Sequence, residues 1–218
     1  SGSGVIIGET DSELLILTNY HVIEGSKSLS VVFSWEDSTD KDDANSADII
    51  TAQVKDYDES NDIAVISIPM SELSEDTKNK ISVATVGDSK NLELGQQIVA
   101  IGNALGYGQS VTVGYISALD REVSVDDGTV KVLQTDAAIN PGNSGGALVN
   151  MKGELIGMNT AKYVDSTVEG MGYALPISDI QDIINDMLAG KSTTKSGSTY
   201  LGVTVKNITS EYAEGLNM

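Results

Sequence analysis

The 218-residue chain contains no cysteine, so neither disulfides nor thiolate metal sites are available to it. One phenylalanine and one tryptophan leave the core to aliphatic side chains, and three prolines leave most turns to the 22 glycines. That balance suits many short strands joined by turns. Basic residues are scarce: 13 Lys and Arg stand against 32 Asp and Glu, a formal charge of −19. A surface of that sign cannot neutralise phosphates and offers no polybasic patch to anionic lipid, which excludes nucleic acid as a partner. No apolar run reaches the length of a membrane span, and residues 1–7 are not a signal peptide. Export would depend on a segment ahead of Ser1.

The chain itself is rich in short apolar runs. Residues 1–8, 14–17, 29–33, 51–57, 63–68, 83–86, 97–102, 110–119, 122–125, 130–133, 147–150 and 154–158 read as strands. Asp126-Asp127-Gly128 and Met151-Lys152-Gly153 read as hairpin turns, and strands at this spacing mark a sandwich or a barrel. Residues 71–80 are a charged spacer. Residues 36–48 are strongly acidic and read as an exposed loop; their spacing does not match an EF-hand, and no metal or cofactor is expected. One helix is predicted over residues 178–189. Ser178 and Gln181 form a capping box, Ile180, Ile183, Ile184, Met187 and Leu188 share one face, and Gly190 ends it. A polar linker, 191–198, then leads to a new strand start at 200–205. Twenty residues after a linker are too few for a domain, so 199–218 reads as the opening piece of a second one. Two further matches carry nothing: Gly190-Lys191-Ser192 lacks the first glycine of a P-loop, and Asn207-Ile208-Thr209 is a chance glycosylation pattern.

The chemistry is concentrated at residues 134–148, where Asn140, Pro141, Gly142 and Asn143 precede Ser144 and Gly145 and Gly146 follow it. Proline fixes φ and glycine reaches dihedrals closed to other residues, so the serine sits on a tight turn whose amides can converge. Acyl transfer needs such a hydroxyl beside N–H donors for an oxyanion. A glycine-rich hairpin with an exposed serine would look the same in isolation, so the remainder of a triad decides. The chain has a single histidine, His21, which must then be the base, and Asp62 at the mouth of the strand 63–68 is the natural carboxylate to orient it. Gly142-x-Ser144-x-Gly146 also fits the nucleophile elbow of α/β-hydrolases, but those enzymes place their histidine after the serine and none follows Ser144. The order His21, Asp62, Ser144 is that of chymotrypsin-like double barrels.

With these residues stand the motifs Thr-Asn-Tyr-His-Val (18–22), Asn-Asp-Ile-Ala-Val (61–65), Ala-Ile-Gly-Asn (100–103), Gly-Tyr-Gly-Gln-Ser-Val-Thr-Val-Gly (106–114) and Gly-Tyr-Ala-Leu-Pro (172–176). In register they resemble the HtrA (DegP/DegS-like) family of trypsin-like serine proteases, bacterial members above all, over about residues 1–190. The resemblance implies an all-β fold of two six-stranded antiparallel barrels with one C-terminal helix, residues 1–190 forming the protease domain. It implies Ser144 as nucleophile, His21 as base, Asp62 as its orienting residue, and an oxyanion hole at Gly142, Asn143 and Ser144. Residues 159–162 (Asn159, Thr160, Ala161, Lys162) would pair with the substrate backbone as an edge strand. Lys162 stands where relatives carry an aliphatic residue at the floor of the primary specificity pocket, and it would either send its ammonium outward or mark a different loop arrangement. Ala104 replaces a frequent proline. Asn143 replaces the aspartate that zymogens pair with a new N-terminus, so loop rearrangement rather than cleavage is the expected switch, with regulatory loops at 121–130, 137–143 and 161–170. Residues 199–218 resemble the start of a PDZ domain. The family implies degradation of unfolded or misfolded proteins in the bacterial cell envelope, by a homotrimer when full-length, a monomer being compatible with this stretch. The competing reading is a protease-fold chaperone or binding module with a resting or inactive site.

Overall fold

The computed structural model describes residues 1–35, 49–104, 108–125, 128–163 and 170–191. Its first sheet is built on two strands that have no polar face. In β2 (Glu13–Thr18) and β5 (Ile63–Pro69) successive residues point to opposite sides. Leu15, Leu17, Ile63 and Val65 enter one core, whereas Leu14, Ile16, Ala64, Ile66 and Ile68 enter another with Phe33, Ile50 and Ala52. Being buried on both faces explains why these strands read as continuous apolar runs rather than alternating ones. Around them the sheet runs β1-β2-β5-β4-β3, all antiparallel, with β1 at Val5–Glu9, β3 at Leu29–Val31 and β4 at Ile50–Asp58.

The second half is a closed six-stranded barrel in the order β10-β11-β8-β7-β6-β9. Its strands are β6 (Gln97–Gly102), β7 (Ser110–Val125), β8 (Gly128–Thr135), β9 (Ala147–Asn150), β10 (Leu155–Thr160) and β11 (Gly172–Pro176). Ile98, Ala100, Ile116, Leu133, Leu148, Ile156 and Ala174 fill its interior. Of the two six-stranded barrels expected, the described residues therefore form one, the first half being a five-stranded sheet. The acidic residues 36–48, the linker from residue 192 onward and the segment 199–218 lie outside the described residues.

Three elements differ from the sequence reading. Residues 110–119 and 122–125 are one strand, β7. The break between them is a bulge, with register shifts around Ala118 and Asp120 at φ 50, so a bend had the sequence signature of an end. The charged spacer contains the helix α2 (Glu75–Lys80), whose cap Ser74 accepts the Thr77 N–H and which carries a Lys78–Glu75 ion pair. Residues 83–86 form a strut rather than a sheet strand. Ala84 N–H donates to Ile6 O at 2.9 Å, Leu155 N–H to Thr85 O and Gly87 N–H to Leu155 O, both at 2.8 Å, so the strut ties β1 to β10.

Helix α3 (Ile177–Leu188) closes the core shared by the two halves, burying Ile177, Ile180, Ile184 and Met187 against β2, β5, β10 and β11. It starts two residues earlier than a capping box on Ser178 implies, with Pro176 at the N-cap. Ser178 instead exchanges bonds with the turn at 88–89: its N–H donates to Ser89 Oγ and its hydroxyl accepts the Ser89 N–H, each at 3.0 Å. The C-terminus is a Schellman turn, with Lys191 N–H on Asp186 O, Gly190 N–H on Met187 O, and Gly190 at φ 68. Met187→Ala should lower the unfolding free energy by about 2–5 kcal/mol through the cavity it leaves. Ser178→Ala should cost about 1 kcal/mol. Urea denaturation of the two variants checks both values.

Candidate active site

β2 ends at Thr18, and Asn19 in extended conformation opens the single helical turn α1 (Tyr20–Ile23) that carries His21. Asn19 is fully buried, and its side-chain N–H reaches across to the Asp62 carbonyl at 3.0 Å. Asp62 follows a turn in which the Asn61 backbone and side-chain N–H groups donate to the Asp58 carboxylate. It adopts φ 55, a left-handed conformation that costs a non-glycine residue about 1 kcal/mol or more. The conformation aims its carboxylate inward, where it is 1 % exposed. Oδ1 accepts the His21 N–H at 2.9 Å, and the His21 Nδ1 lies 2.8 Å from Oδ2. With Nδ1–H committed to the carboxylate, Nε2 is left as the basic nitrogen.

The turn around Ser144 is packed against the end of β2 and the segment ahead of β1. A Cβ on Gly145, at φ 84, would lie 2.2 Å from Ser3 O and 2.3 Å from Thr18 Oγ1, so only glycine lets the turn approach the end of β2. The backbone bonds of the turn are selective. Asn143 N–H donates to Asn140 O, Gly145 N–H to Asn159 O and Gly146 N–H to Asn143 O, each at 2.9 Å. The amides of Gly142 and Ser144 have no acceptor among the described residues. Asn143 is itself buried, its side-chain N–H on Ala138 O, and both of its backbone groups are engaged within the turn. The Ser144 hydroxyl, 4 % exposed as a residue, accepts the Ala161 N–H at 3.0 Å and makes no hydrogen bond to His21. The structure thus closes the Asp62–His21 link and sets the turn that carries Ser144 against the residues just ahead of His21.

The expected substrate edge is divided. Asn159 is consumed internally: its N–H donates to Gly146 O, its carbonyl accepts Gly145 N–H, and its side chain donates to Ile101 O and Ala147 O. It props the nucleophile turn and has no backbone group left for a substrate. Thr160 is buried opposite Tyr173 of β11, with Lys162 N–H on its hydroxyl. Ala161 and Lys162 lie past the end of β10. The Lys162 ammonium, expected to point outward or to mark a different loop arrangement, lies 4.0 Å from Asp62 Oδ1 and 5.9 Å from the Tyr163 ring centre. Burial, and then the Asp62 charge, push the Tyr163 phenol up to about 12, so it stays neutral beside the carboxylate. No group of three or more His, Asp or Glu able to hold a metal occurs among the described residues. Asn19, Thr18 and Ser3 were not singled out from sequence, although Thr18 and Asn19 sit in the histidine motif and the alternating Ser and Gly of residues 1–4 signal close backbone approach.

Residues 2–158 match the trypsin-like peptidase domain family. The chain is 38 % identical over 224 residues to the serine protease Do-like HtrA of Bacillus subtilis, covering 99 % of this chain and 45 % of that protein. It is 40 % identical over 200 residues to the Do-like HtrA of Lactobacillus helveticus, covering 88 % and 44 %. It thus spans about half the length of the curated relatives it matches. Among solved structures, the HtrA-type protease AlgW with a decapeptide superposes with a TM-score of 0.70 at 35 % identity, over all of this chain and 59 % of that one. No helix among the described residues is long and apolar enough to cross a membrane. The chain belongs to the trypsin-like peptidase domain family, and its relatives there are HtrA-type serine proteases.

Proposed function

We propose that this chain is a serine endopeptidase acting on unfolded protein segments, with Ser144 as nucleophile, His21 as general base and Asp62 as the residue that orients His21. The observation that carries the proposal is the buried Asp62 carboxylate fastened to His21 Nδ1, beside a turn that leaves the Gly142 and Ser144 amides unengaged. In this reading Ser144 Oγ turns from Ala161 to His21 Nε2 and attacks the scissile carbonyl while Nε2 takes its proton. The carbonyl oxygen becomes an oxyanion and accepts from the Gly142 and Ser144 amides. Nε2 then gives the proton to the leaving amine as the C–N bond breaks, and water activated by the same nitrogen hydrolyses the acyl-enzyme. Asp62 stays ionised and stabilises the imidazolium.

An extended substrate would pair from Ala161 onward, since Asn159 is already spent. The solved AlgW structure holds a decapeptide, which supports a peptide as the kind of ligand. Two six-stranded barrels, extracytoplasmic envelope quality control, assembly as a trimer, and a PDZ domain opening at 199–218 belong to the same proposal and follow the HtrA relatives. One observation favours a second reading, a resting site or binding module: the Ser144 hydroxyl is bonded to Ala161 N–H rather than to His21.

Cleavage of reduced casein separates the two readings. Ser144→Ala should lose on the order of 10⁶ in kcat, and Asp62→Asn about 10⁴ with the fold intact, because the imidazole would then be held in the wrong tautomer. A wild-type chain that leaves casein uncut and takes no fluorophosphonate on Ser144 would hand the lead to the binding module.

A further inference from the structure

The segment ahead of β1 is threaded between α1 and the nucleophile turn. A Cβ on Gly2 would lie 2.6 Å from Val22 and 2.9 Å from Ser144 O, and one on Gly4 would lie 2.6 Å from Ile16. Ser3, between these glycines, engages all of its polar groups. Its N–H donates to Ser144 O at 2.8 Å, and its carbonyl accepts the Thr18 hydroxyl at 2.7 Å. Its own hydroxyl donates to Gly142 O at 2.7 Å and accepts the Asn103 N–H at 2.8 Å. One side chain therefore links the end of β6 to the nucleophile turn, while its backbone links that turn to the end of β2.

The pattern has a consequence for the unengaged amides. The Gly142–Asn143 peptide is fastened at its carbonyl by Ser3 Oγ and at its N–H by Asn140 O. The Ser144–Gly145 peptide is fastened at its carbonyl by Ser3 N–H and at its N–H by Asn159 O. The Asn143–Ser144 peptide between them is fastened at its own carbonyl, which accepts the Gly146 N–H at 2.9 Å, and because the peptide is planar the Ser144 N–H keeps its orientation with it. Gly142, at φ 100, is the residue where this turn can swing most freely, since no Cβ opposes a peptide flip. What resists the flip is the bond from the Ser3 hydroxyl to its carbonyl.

The geometry points to Ser3 as a positioning residue for the oxyanion hole, its hydroxyl locking the Gly142–Asn143 peptide so that the turn carrying the Gly142 and Ser144 amides stays in place for the developing oxyanion. The inference rests on the protease reading above and deepens it. A residue that only supported the fold would change the amount of active protein, not the turnover of each active site.

Ser3→Ala keeps both backbone bonds and removes both hydroxyl bonds, and Ser3→Thr restores the hydroxyl. Turnover per fluorophosphonate-titrated site should fall roughly 10- to 100-fold in S3A, short of the loss of a whole oxyanion donor, with KM nearly unchanged. S3T should recover most of it. Amide hydrogen exchange by NMR reads the lock without reference to activity: in S3A the Asn143 amide should exchange faster while the α3 amides hold. An Asn143 amide as slow in S3A as in wild type, or a kcat per titrated site within about twofold of it, overturns the proposal. If the wild-type chain is neither active nor labelled and S3A still loosens Asn143, the protease reading alone fails and the lock is supported.

Discussion

The site depends on satisfying one carboxylate where water barely reaches it. Asp62 is 1 % exposed, and an unpaired charge at that depth would be expensive. The fold surrounds it with donors: the His21 backbone N–H and the His21 ring, with the Lys162 ammonium 4.0 Å away. Each donor depends on the backbone elsewhere. The His21 N–H faces Asp62 because β2 and β5 pair in the register Thr18 with Ala64 and because Asn19 grips the Asp62 carbonyl. A one-residue slip of that register would exchange the two faces of β5 and remove the carboxylate from its donors. The left-handed φ of Asp62 is part of the same arrangement, a local strain retained where surrounding bonds over-determine it.

The two halves are joined by more than a chain crossing. β2 and β5 serve two cores, and the one they share with the barrel also takes up the apolar face of α3. The strut at 84–87 hydrogen-bonds to β1 on one side and β10 on the other. His21 and Asp62 come from the first half and Ser144 from the second, so a common core is what keeps their separation fixed. Close packing of this kind holds a constellation to the fraction of an ångström that acyl transfer requires.

Against that rigid frame the nucleophile has one soft coordinate. The Ser144 hydroxyl rests on the Ala161 N–H, and χ1 is the torsion that would carry it to another partner. Lys162 adds the one basic side chain near the carboxylate in a chain of charge −19. It is 42 % exposed and beyond hydrogen-bond distance, so its effect on Asp62 is a screened one.

The sequence by itself determined the strand-rich class, the face of α3, and the identity of the chemical groups. A single histidine leaves no choice of base, and the glycines after Ser144 announce a close approach that their missing Cβ atoms make possible. Continuous apolar runs marked β2 and β5 because burial on both faces leaves its trace in composition. Other features depended on partners distant in the chain. The bulge in β7 looked like a strand end, since a bend and an end interrupt alternation alike, and Ser178 looked like a cap because its partner Ser89 is 89 residues away. Asn159 looked like an edge residue, and only the packing of the nucleophile turn against it showed its backbone already in use. Local propensity and pattern are written residue by residue, whereas hydrogen-bond satisfaction is decided by whatever the fold brings alongside, which is why tertiary structure alone could assign Ser3, Asn19 and Asn159 their places.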